Sequence, residues 1–112
     1  MLKNPKQDYL LLIIDNLNKF KDKVDLDFQK QFQDIIDQYQ EMSVDINRIL
    51  DEKDKGFLKR INEINNKFLQ HINGFLILVE KETITVLRND FVAGFLEDFK
   101  RHLKELGELI YG

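Results

Sequence analysis

Residues 28–49 read FQKQFQDIIDQYQEMSVDINRI, and within them Phe28, Phe32, Ile35, Tyr39, Met42, Ile46 and Ile49 are spaced alternately by four and three. That rhythm is the seam of an amphipathic helix packed on other helices. A second row repeats it: Phe57, Ile61, Ile64, Phe68, His71, Phe75 and Leu78. The pattern specifies architecture and leaves chemistry almost unspecified.

Before this stretch, Leu10, Ile13, Leu17, Phe20 and Val24 give an earlier helix. Leu11, Leu12 and Ile14 widen its apolar face, so it is expected to be buried over much of its circumference. Pro5, the single proline, suits a first helical turn. Between the first and second helices, Asp25 or Asp27 is placed to accept an orphan backbone N–H as an N-cap. The second helix is expected over about 27–53. Residues 51–56, DEKDKG, break the phase by one position, with Gly56 where a left-handed residue or tight turn would serve.

The third helix is expected from about 57 to 79–81. Residues 75–87, FLILVEKETITVL, are open to a second reading as a β-hairpin. The turn such a hairpin needs would have no Gly, Asn or Asp, and a lone two-stranded hairpin is marginal, so helix–turn–helix is preferred. The fourth helix is then expected to start near Thr83, or later at Asn89-Asp90, and to bury Ile84, Leu87, Phe91, Phe95, Phe99, Leu103, Leu106 and Ile110. Gly94 lowers its helical propensity and would admit a close neighbour.

Four helices of comparable length with short connections predict an all-α, antiparallel up-down-up-down four-helix bundle in a single domain, residues 1–112. The alternative is a long helical hairpin that dimerises into a four-helix assembly.

With 112 residues, 17 Lys and Arg against 20 Asp and Glu, and a net charge of −3, the chain has no basic surplus for nucleic acid or an anionic membrane. Lys53, Lys55, Lys59, Arg60 and Lys67 cluster, but Asp51, Glu52, Asp54 and Glu63 offset them. There is no cysteine, which excludes disulfides, thiolate metal sites and thiol catalysis. No secretory leader or membrane-spanning run is read, so a cytoplasmic protein is expected.

Chemistry-bearing residues are sparse. There is one serine, Ser43, with no nucleophile-elbow context, and the five glycines are scattered. No Glu-x-x-His pair of the di-iron kind occurs. Asp98 and His102 share a helix face at a spacing of four, which a metal-ligand pair would use, but a surface ion pair is the simpler reading. No metal, cofactor or catalytic residue is therefore expected.

His71 interrupts the second apolar row. A buried histidine there would hydrogen-bond across the bundle and specify register. A functional reading is phosphotransfer, since histidine phosphotransfer domains are four-helix bundles with a reactive His in mid-helix. Their Lys and Gly at the third and fourth places after the His are not matched by Ile72, Asn73 and Gly74. A third reading is a ligand sensor with a polar pocket inside the bundle.

The nine phenylalanines point elsewhere. Phe91, Val92, Phe95, Leu96, Phe99 and Ile110 on the fourth helix are candidates for an apolar face that binds a partner helix or a second copy. The expected function is a non-enzymatic interaction module of the small acidic adaptor or chaperone kind, with a protein partner or a homodimer.

Overall fold

The computed structural model describes residues 9–81 and 89–112, with side chains described for 9–73 and 92–112. Among the described residues there are four helices and no strand: α1 (Tyr9–Lys21), α2 (Leu26–Ile49), α3 (Lys55–Lys81) and α4 (Asn89–Tyr111), with a 3-10 turn at Leu50–Glu52. The molecule measures 45 × 24 × 19 Å. At about 1.5 Å per residue, α2, α3 and α4 are each about 35–40 Å long, so all three must run along the long axis. One chain thus supplies a compact all-α bundle.

Helix α1 packs on α2 and α3, and α4 also packs on α2 and α3. Helices α2 and α3 are not one of the main contacting pairs, although only residues 50–54 separate them.

The expected core of α2 is present: Phe32, Ile35, Tyr39 and Ile46 are buried, with Phe28, Met42 and Ile49 packed partly against them. In α1, Leu10, Ile13, Ile14, Leu17 and Phe20 are buried, but Leu11 is 48% and Leu12 44% exposed. This corrects the expectation that Leu11, Leu12 and Ile14 widen the buried face; of the three, only Ile14 does. A helix turns about 100° per residue, which puts Leu11 and Leu12 outside the stripe that faces α2 and α3.

The connections are specified locally. Asp25 is the N-cap of α2 by position but makes no side-chain capping bond. The Gln29 side chain instead donates to the Val24 carbonyl at 2.9 Å. At α3 the cap is complete: Asp54 Oδ1 accepts the Phe57 N–H at 2.9 Å. Gly56 lies in the first turn of α3, and no described glycine has a positive φ. The break is made by the 3-10 turn and extended Lys53 (φ −104°, ψ 157°), not by a left-handed glycine.

Residues 75–81 continue α3 as helix, which removes the first strand of the hairpin alternative. Ile84, Leu87 and Thr83 lie outside the described residues, as does the side chain of Phe91. The remaining expected core of α4 (Phe95, Phe99, Leu103, Leu106 and Ile110) is buried, joined by Val92 and Leu96. At Gly94 no described atom lies within 4 Å of the point a Cβ would occupy, so no described residue makes the close approach expected there.

Phe99 is the hub of an aromatic cluster. Its ring lies 6.1 Å from Phe32, 5.0 Å from Phe68 and 4.9 Å from Phe95, centroid to centroid, all near edge-to-face. Phe20 of α1 closes the cluster against Phe32 and Phe95 at 5.2 and 4.8 Å. Such pairs contribute roughly 0.5–1.5 kcal/mol each beyond burial. None of the described helices is long and apolar enough to cross a membrane.

Candidate functional site

Two histidines organise the polar features, and their expected roles are exchanged. His102 is 3% exposed. Its Nδ1 stands 2.7 Å from Tyr39 Oη, and its Nε2 stands 3.0 Å from Asn65 Oδ1. Asn65 Oδ1 can only accept, so Nε2 carries the proton and Tyr39 donates to Nδ1. The result is a directed chain from α2 through α4 to α3, inside the core. Phe68 covers the imidazole in a parallel stack, 4.2 Å between centroids and 9° between planes.

Burial pushes the His102 pKa down to about 4 and raises that of Tyr39 well above the ordinary tyrosine value. Both groups are therefore neutral at pH 7. His102 does not form the surface ion pair with Asp98 that the spacing of four suggested. Phe99 lies three residues before it and Leu106 four after, which turns His102 to the core.

His71 is at the surface, with its side chain 63% exposed. It corrects the expectation of a buried seam histidine. A seven-residue repeat drifts about 20° per heptad in a straight helix. The buried face of α3 runs from Phe57 and Ile61, which the row contains, to Asn65 and Ile72, which it does not, leaving His71 at its margin. His71 Nε2 lies 3.3 Å from Asp98 Oδ2, and Arg101 Nη1 lies 3.7 Å from Asp98 Oδ1.

These groups border a groove of about 460 Å³ between α3 and α4. Half-buried Ile64 and Phe68 form its apolar part, and Glu63, Lys67, Asp98, Arg101 and Glu105, with His71 beside Asp98, its polar walls. The candidate binding residues Val92, Phe95, Leu96, Phe99 and Ile110 are buried within the single chain, at 6% exposure or less. They support the α4 side of the bundle from within and present almost no surface of their own.

Sequence reasoning misses Asn65 and Tyr39 as polar partners. Asn65 falls one place after Ile64 of the apolar row, and Tyr39 counts there only for its ring. Among the described residues no group of three His, Asp or Glu side chains is placed to hold a metal ion. No protein-family model, curated protein or solved structure matches the chain.

Proposed function

We propose that this protein is a non-enzymatic interaction module, a small acidic helical adaptor or chaperone-like protein of the cytoplasm. It engages a protein partner or its own copy. The observation that carries this reading is the groove between α3 and α4, where Ile64 and Phe68 are only half-buried between walls of both charges. An apolar strip with a charged border is the surface a partner helix recognises. The acidic balance of the chain, 20 acidic against 17 basic residues, favours a protein over nucleic acid.

The same reading takes the bundle as antiparallel, up-down-up-down. In support, contacts between α3 and α4 pair Asn65 with His102, Phe68 with Phe99 and His71 with Asp98, so one number falls as the other rises. Those between α2 and α4 pair Phe32 with Phe99, Tyr39 with His102 and Asp45 with Tyr111, rising together.

The test is affinity capture from the native cell with wild type and with Ile64→Asp. Ile64 is only half-buried, so the variant is expected to keep its helical circular dichroism. A protein retained in stoichiometric amount by wild type and lost with Ile64→Asp supports the module. Equal retention by both sinks the groove as its binding surface.

A second reading is favoured by one observation: His71 is exposed in mid-helix, as a phosphoacceptor must be. A ring nitrogen of His71 would take the phosphoryl group from an acyl phosphate of a donor protein, releasing the donor's carboxylate, with Asp98 receiving the ring proton. Acid-labile, alkali-stable phosphate on wild type and none on His71→Gln would establish it. No phosphate on either, with an active donor present, would dismiss it.

A further inference from the structure

The charges beside the α3–α4 groove are arranged in bands. Asn65 and His102 are bonded in the core between the two helices and His71 faces Asp98, which fixes the level of one helix against the other. At that register Glu63 is level with Glu105, and Lys67 is level with Arg101, and all four border the same groove. An acidic band thus lies about 6 Å from a basic band, four residues along each helix. Neither helix closes the pair for itself. Among the described residues no ion pair joins Glu63 to Lys67 or Arg101 to Glu105, and Arg101 stands by Asp98 instead.

We infer that the occupant of the groove is a second copy of this chain, docked face to face about a two-fold axis that crosses α3 and α4 at the level of Asn65. This rests on the reading of the chain as an interaction module and names its partner. The axis turns the face end for end, so that α3 lies antiparallel on the copy's α3 and α4 on its α4. The Glu63–Glu105 band of each copy then meets the Lys67–Arg101 band of the other, and Ile64, one residue from the axis, meets its counterpart at the centre. The other face-to-face dyad, parallel to the helices, would set Glu63 against Glu105 and Lys67 against Arg101, and like charges so placed are strongly disfavoured. A two-fold interface must be self-complementary, and the banding makes this face so. With the axis at Asn65, about 20 residues of α3 and about 17 of α4 overlap their counterparts, so the two helices present about 550 Å², the size of a weak, salt-sensitive dimer rather than of a standard stable interface of ~800 Å² per partner.

Sedimentation equilibrium of the full chain tests it with three proteins at low and high salt. Wild type is expected to dimerise, more weakly as salt rises. Lys67→Glu with Arg101→Glu makes both bands acidic, and the dimer dissociation constant is expected to rise at least about tenfold. Adding Glu63→Lys and Glu105→Lys exchanges the bands and is expected to restore the dimer, because the two-fold match returns. All four side chains are exposed, so thermal melting at concentrations low enough to keep the chain monomeric should change little. A wild type that stays monomeric, a dimer indifferent to the double variant, or a band exchange that fails to restore it overturns the inference. The wider module reading survives those results if capture of a different protein still depends on Ile64.

Discussion

The Tyr39 hydroxyl donates to Nδ1 of His102 across 2.7 Å, joining α2 to α4 through residues 63 positions apart in sequence. The imidazole passes the chain on to Asn65 of α3. A neutral histidine has one donor and one acceptor nitrogen, and this site uses each once. The three helices consequently share a polar fastening that a shift along any one of them would break.

Protonation of His102 would place a second donor against the Tyr39 hydroxyl in a desolvated site. Its pKa is about 4 in the folded chain against 6.5 in the unfolded one. Between those values the unfolded chain binds a proton that the folded chain refuses, so stability falls as pH drops from 6.5 to 4. Above pH 6.5 the contribution is fully present. The loss is expected to be about 3 kcal/mol across that window. Urea unfolding at pH 7 and pH 4.5 checks it, with His102→Gln expected to lose much of the difference. The remainder belongs to other groups.

Phe99 is 1% exposed and touches the rings of Phe32, Phe68 and Phe95. Phe99→Ala is expected to cost about 3–5 kcal/mol, since the cluster cannot close around the space. A matching loss in urea midpoint, with the slope unchanged, is the readout.

Particular residues show how much of this was legible in the sequence. The α2 row is readable because Phe32, Ile35, Tyr39 and Ile46 fall on the covered face, with Phe28, Met42 and Ile49 at its margin. The break after it is equally visible, but its cause is not. Gly56 draws the eye, whereas Asp54 supplies the cap and Lys53 the extended residue. At the site, spacing alone interchanges the two histidines. His71 matches a heptad, but α3 packs as an ordinary helix whose buried face drifts off that repeat. His102 matches a surface pair with Asp98, but its spacing to Phe99 and Leu106 also fits the core. Spacing names the faces that a residue shares; which of them is covered depends on the neighbouring helix. The partners Tyr39 and Asn65 come from two other helices, and no local pattern joins them to His102.

The two aspartate caps offer a contrast. Asp54→Ala removes the bond to the Phe57 N–H and is expected to destabilise the protein by about 1 kcal/mol. Asp25 makes no such bond, so Asp25→Ala is expected to cost less than half as much. Parallel thermal melts of the two variants measure the difference directly.

Gly94 sits within α4, and an added methyl group there would meet no described atom within 4 Å. Gly94→Ala should therefore stabilise by about 0.5–1 kcal/mol, the helix-interior advantage of alanine. A lower melting temperature would mean that the position meets something the helix packing does not account for.

If this protein works by binding through the α3–α4 groove, a residue in that groove must touch the partner in the native cell. A photo-crosslinking amino acid placed at position 64, and separately at the exposed Val44 of α2, reads that contact directly. A discrete protein adduct is expected from position 64, to a second copy or another chain, and none from position 44. Adducts from position 44 alone, or none from position 64 in a folded and abundant protein, would contradict binding through the groove.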